Sequence, residues 1–119
     1  MGIACKPSEA ALSVMPYLRP LLDEMANYWC LCVKYADRCE RGECPVDLAK
    51  CAAAYVAVLN ERGSVVRGNY YVHARGELPD KFYEGLAKAA SRMVRGARYL
   101  PYEILLALAV HYFLGGNII

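Results

Sequence analysis

The sequence has no long uncharged apolar run. The longest covers residues 104–114 and contains His111, well short of the roughly 18–20 apolar residues that span a bilayer. A transmembrane helix is therefore not expected. Nor is there a marked excess of either charge. Fourteen Lys+Arg stand against twelve Asp+Glu, a formal charge of +2, so bulk composition does not announce a nucleic-acid binder. Low-complexity stretches, internal repeats and linkers long enough to separate domains are also missing, which leaves residues 1–119 as one domain. Histidine is scarce at two residues, and neither lies beside a Ser, Asp or Glu in a recognisable nucleophile–base arrangement. No Gly-rich phosphate loop, paired-carboxylate metal motif or HExxH occurs. These absences point away from catalysis, and no cofactor or metal is expected. The first residues, MGIACKPSEAALSV, place a Lys and then a Glu ahead of any long apolar stretch. That makes a poor signal peptide, and the expected location is the cytoplasm.

What is present is apolar and helix-forming. Of the 119 residues, 57% are hydrophobic, enough to exclude intrinsic disorder and to build a core without obligatory staples. Seventeen Ala and ten Tyr supply much of that content. Proline and glycine divide the chain into helical segments. Ser8 caps a short first helix that ends near Pro16. Pro20 opens a long helix, 20–40, closed by Gly42. The next runs over 46–61 and stops before Gly63, a further one covers 80–96 after Pro79, and the last covers 101–114 after Pro101. Residues 64–78 are ambiguous between a short strand and an ordered loop or short helix. The fold class is all-α, a compact bundle of four to five helices with at most a short two-stranded ribbon. The expected core is Leu22, Met25, Trp29, Leu48, Tyr55, Leu59, Phe82, Leu86, Met93, Leu105, Leu108 and Tyr112. The last helix is apolar all round, so it is expected either at the centre of the bundle or covered by another subunit, with His111 a hydrogen-bonded packing residue.

Six cysteines stand at positions 5, 30, 32, 39, 44 and 51. The turn between the second and third helices is centred between residues 41 and 42. Cys39 and Cys44 are equidistant from that centre, and so are Cys32 and Cys51. On each side the two cysteines are seven residues apart, two helical turns, hence on one face. An antiparallel hairpin then sets Cys32 opposite Cys51 and Cys39 opposite Cys44. Two nested disulfides would have Cα separations of about 4.4–6.8 Å. Cys5 is able to reach Cys30, although nothing in the spacing requires it. Buried free thiols and a zinc site built around Cys39-x₄-Cys44 remain open alternatives. Disulfides in a cytoplasmic protein imply an organism whose interior tolerates them, as in hyperthermophiles.

Charge is uneven along the chain. Residues 1–60 carry six basic and seven acidic side chains, whereas residues 62–98 carry eight basic and three acidic. At 100° per residue, Lys81, Lys88, Arg92 and Arg95 fall within a stripe about 60° wide, while Phe82, Leu86, Ala89 and Met93 point the other way. Arg67, Arg75 and Arg98 bracket this helix, and Tyr70, Tyr71 and His73 interleave rings among them. Cations that hold phosphates and rings that stack on bases suit RNA or another single strand. The plainer readings are a solvated helix face and ordinary tyrosine packing. No bidentate base-reading pattern is evident, so contacts would be to the backbone and insensitive to sequence.

The second half also resembles a known family. The final helix runs into AVHYFLGG, residues 109–116, and roughly forty residues upstream lies NYYVHARGELPDKFYEGLAKAASRMV, with Tyr71 and Arg75 at matching positions. In these segments the chain is similar to the small helical subunit of type III-A CRISPR–Cas ribonucleoprotein effector complexes. The likeness covers about 50 residues. A Lys that the family carries after the histidine is missing after His111, and the cysteine-rich first half has no counterpart. The resemblance implies a subunit that is not the nuclease, that lines its complex in several copies and that holds target RNA by its backbone. Two other classes fit the same features: a helical nucleoprotein of a hyperthermophile virus, and a helical interaction module with no nucleic-acid role.

Overall fold

In a computed structural model, which describes residues 5–66, 78–94 and 99–115, the chain is a helical bundle. Six α-helices occur among the described residues, with one two-stranded ribbon: α1 (Glu9–Val14), α2 (Arg19–Lys34), α3 (Ala36–Glu40), α4 (Leu48–Val58), β1 (Ser64–Val66), α5 (Asp80–Val94), β2 (Tyr99–Pro101) and α6 (Tyr102–Phe113). The all-α expectation is met.

Local chemistry explains most of the boundaries. Ser8 caps α1, its Oγ accepting from Ala11 N at 3.1 Å and donating to Leu59 O at 2.9 Å. Ser8 N donates to Ala57 O and Ala10 N to Asn60 Oδ1. The start of α1 is thereby stitched to the end of α4, satisfying backbone groups that a helix terminus leaves without partners. Pro16 opens a 3₁₀ turn, Pro16–Leu18, and Pro20 stands in the first turn of α2, where its missing N–H costs nothing. Asp47 caps α4 by accepting from Ala49 N at 2.9 Å, while its own N–H donates to Tyr28 Oη at 2.8 Å. The fourth helix thus begins at Leu48 rather than at 46, and it ends at Val58, where Leu59 turns extended.

The helix expected over 20–40 is two helices. Tyr35 leaves helical geometry (φ −102°, ψ 12°), and α3 sets off afresh from Ala36. The Lys34 ammonium and the Arg38 guanidinium lie 5.4 and 5.6 Å from the centroid of the Tyr35 ring, one on each side of the break in sequence. Gly42, at φ +90°, terminates α3 in the left-handed conformation that glycine adopts without penalty. Its N–H donates to Cys39 O, and Glu43 N donates to Arg38 O. The ambiguous segment after Gly63 begins as β1, paired antiparallel with β2 in the register Ser64↔Pro101, Val65↔Leu100 and Val66↔Tyr99.

Helix α4, not the last helix, occupies the centre. It packs against α1, α2, α5 and α6, and Cys51, Ala52, Ala53, Ala54, Tyr55, Val56 and Ala57 are all buried. Its alanines present little bulk, so neighbours approach from several sides. Gly85 of α5 adds to this closeness, since a Cβ there would stand 2.7 Å from Leu48 Cδ1. Nine of the twelve expected core residues are buried. Leu48, Leu108 and Tyr112 are half-buried and pack against the cluster. The core also takes in Val56, Leu106, Phe113 and Tyr102. The Tyr102 hydroxyl donates to Val56 O at 2.6 Å, joining α6 to α4. Burial pushes this phenol up to about 12, against a smaller opposing effect of its hydrogen bond with Ser8.

All six cysteines are paired. Cys32–Cys51 joins α2 to α4 with Cα atoms 6.0 Å apart, and Cys5–Cys30 ties the segment before α1 to α2 at 5.7 Å. Cys39–Cys44 has a Cα separation of 3.9 Å, below the expected range. It does not bridge two helices, because Cys44 precedes α4, and the Gly42 turn brings the chain straight back on itself. No free cysteine is left, so the free-thiol and zinc alternatives both fall.

Candidate nucleic-acid interface

Helix α5 places three of the seven expected cations together. Lys81, Lys88 and Arg92 are exposed, while Phe82, Leu86, Ala89, Ala90, Met93 and Val94 are buried. The separation of faces follows from the 3.6-residue period and from the packing of α5 on α4. The three positions span about 16 Å along the helix axis, at 1.5 Å per residue. None of the three has an ion-pair partner among the described residues. Asp80 and Glu84 are also exposed on α5, both in its first half. Arg67, Arg75, Arg95 and Arg98, with Tyr70, Tyr71 and His73, lie outside the described residues.

The start of α5 carries a feature that the sequence did not reveal. Glu40, the last residue of α3, accepts through Oε1 from Lys81 N at 2.9 Å and from Phe82 N at 3.3 Å. A carboxylate at a helix N-terminus satisfies two free amides and complements the positive end of the helix dipole. This contact joins residues 41 and 42 apart in sequence, and no local pattern encodes it. Its electrostatic consequence is a gradient along the stripe. The N-terminal end, with Glu40, Asp80 and Glu84, is largely compensated. Lys88 and Arg92 form the uncompensated part, the Ser91 hydroxyl between them donating to Ala87 O. Because α3 packs against α5, exposed Arg38 and Arg41 add cations near the compensated end. The angular count missed both, since it followed a single helix.

Outside α5 the site chemistry is sparse. His111, expected to be a packing residue, is exposed on α6, because the side of that helix turned to α4 is built from Tyr102, Leu105, Leu106, Ala109 and Phe113. Among the described residues no group of three His, Cys, Asp or Glu side chains is placed to hold a metal ion, and no helix is long and apolar enough to cross a membrane. Comparison with protein-family models, with curated proteins and with solved structures found no match.

Proposed function

We propose that the protein is a non-catalytic subunit that binds nucleic-acid backbone, RNA foremost, within a multi-subunit ribonucleoprotein. The observation that carries this reading is the row of exposed cations on a rigid helix, Lys81, Lys88 and Arg92, without ion-pair partners among the described residues. Phosphates approaching such a row release condensed counterions and gain affinity without reference to base identity. Helix positions keep the charges at fixed spacing, which suits repeated contacts along a strand. The resemblance of the second half to the small subunit of type III-A CRISPR–Cas effector complexes supports the choice of RNA and of a complex containing several copies. The expected role is to hold guide or target RNA while other subunits cut. Three disulfides fit a cytoplasmic location where the interior of the organism tolerates them, as in hyperthermophiles.

The test is a Lys81/Lys88/Arg92/Arg95→Ala protein, shown folded by circular dichroism and titrated against labelled single-stranded RNAs of unrelated sequence. Affinity should fall alike for every sequence, and the slope of log affinity against log salt should decrease by about one unit or less per cation removed. Unchanged affinity at low salt, alone and in the assembled complex, would leave the stripe a solvated face and the protein an interaction module.

A further inference from the structure

The three disulfides differ in what surrounds them. Cys32 and Cys51 are both at 0% exposure, so no reagent reaches their sulfurs without opening the core. Cys5–Cys30 ties the segment before α1 to α2. Cys39–Cys44 closes the turn after α3, where residues 41–45 are all exposed in succession. Cys44 belongs to that exposed run, whereas Cys39 is half-buried. An incoming thiolate therefore meets the Cys44 sulfur first. That sulfur also stands 3.3 Å from Val46 O, so a thiol formed there has a carbonyl in place to accept its hydrogen.

We propose that Cys39–Cys44 is a thiol-exchange site for an external dithiol, and that opening it releases the Glu40 carboxylate from the start of α5. One thiolate of the dithiol attacks Cys44 Sγ, forming a mixed disulfide and expelling the Cys39 thiolate. The second thiolate of the reagent then attacks the reagent's own sulfur in the mixed disulfide and expels the Cys44 thiolate. The reagent leaves as a disulfide, its electron pair having passed to the protein, and Cys39 and Cys44 take up the protons its two thiols gave.

The path from this bond to α5 is short. Glu40 follows Cys39 directly, and its Oε1 accepts from Lys81 N and Phe82 N. The ladder of α5 itself opens with Tyr83 N donating to Pro79 O at 2.9 Å, so those two amides have Glu40 as their acceptor. Helix α3 has five residues, too few to persist unaided, and it is bounded by the break at Tyr35 and the turn at Gly42. Cys39–Cys44 is the covalent hold on its last turn. The bonded cysteines are 5 apart in sequence, against 19 and 25 for the other two pairs. Opening this bond therefore frees the least unfolded-chain entropy of the three, and the bundle stays folded. The first turn of the basic helix thus responds to thiols through a carboxylate on another helix. This device needs no nucleic acid and stands whether or not the proposed function does.

The test treats the folded protein with graded dithiothreitol, traps free thiols with iodoacetamide and maps them by mass spectrometry. Cys39 and Cys44 should be labelled while Cys32 and Cys51 stay paired and the circular dichroism spectrum holds. Amide exchange at Lys81 and Phe82, followed by nuclear magnetic resonance on the same partly reduced protein, should quicken about fivefold, which is what the loss of one side-chain cap is worth. Cys39→Ser with Cys44→Ser should show the fast exchange without reductant. Glu40→Ala, with every disulfide intact, should show it as well, and dithiothreitol should add nothing to either variant. Labelling of Cys39 and Cys44 only together with Cys32 and Cys51, a bond that resists the dithiol while the fold persists, or exchange at Lys81 and Phe82 indifferent to its opening would each overturn the proposal.

Discussion

The two halves of the chain are held together by different means. The first 51 residues contain every cysteine, and three covalent bonds tie the segment before α1 to α2, α2 to α4, and the end of α3 to the turn that follows it. Beyond Cys51 there is no cysteine, and α5 and α6 are held by apolar contact with α4 and by a few long-range hydrogen bonds. In the first half, short loops closed by sulfur restrict the unfolded chain. In the second, burial of Phe82, Leu86, Met93, Leu105 and Leu106 must offset conformational entropy directly. Reductants therefore act on one half, and cavity-forming substitutions act most strongly on the other.

The sharpest way to break this contrast is Phe82→Ala. The ring is 1% exposed, and its removal should cost about 3–5 kcal/mol of unfolding free energy, measured by urea titration. A loss below about 1 kcal/mol would mean that the second half does not depend on packing in this way. Next, replacing Cys32 and Cys51 together by Ala should cost about 3 kcal/mol, and replacing Cys39 and Cys44 together about 1 kcal/mol less, because the second pair closes the shorter loop. Calorimetry that finds equal losses would show that loop length is not what these bonds contribute.

Tyr102 gives the second half a pH dependence of its own. Its folded value of about 12 lies above the ordinary 10.0. The unfolded phenol thus releases its proton first, and the stabilisation is complete below pH 10 and lost as pH rises toward 12. The total is about 2–3 kcal/mol, to be read from denaturant midpoints between pH 9.5 and 11.5. Tyr102→Phe should flatten this decline while costing about 1–2 kcal/mol at neutral pH through the unmet Val56 carbonyl. The smallest effect is expected for Lys88→Ala with Arg92→Ala. Both side chains are exposed without ion-pair partners among the described residues, and thermal stability should change by no more than about 0.5 kcal/mol.

Several features were legible in the sequence because they are local. Pro20, Pro79 and Pro101 marked helix starts, Gly42 marked an end, and the seven-residue spacing of cysteines led to two of the three bonds. The Cys39–Cys44 pairing came out for a reason other than the one argued. Symmetry about the turn assumed two facing helices, whereas the bond forms across the turn itself. Cys5–Cys30 has no periodic signature, since an extended segment meets a helix there. The break at Tyr35 involves neither Pro nor Gly and left no trace in the pattern. The all-apolar final helix was expected either at the centre or covered by another subunit. The centre is taken instead by α4, whose four buried alanines let neighbours approach closely, and the bulkier α6 lies beside it with Ile104 and Leu114 exposed. Of the basic stripe, the angular count placed Lys81, Lys88 and Arg92 correctly on the exposed face, but Glu40 came from a distant helix and only tertiary structure supplies it.

The central position of α4 has a consequence for how this chain can change over time. Seven successive residues, Cys51 to Ala57, are buried, so within that run no position accommodates a larger side chain at little cost. Substitution there is blocked in a continuous run, whereas α5 alternates blocked and free positions with the helical period. Sequence drift in this protein is thus channelled to the outer helices. Surfaces on α5 and α6 are free to acquire or lose binding partners, while the alanine helix between them keeps its composition and with it the fold.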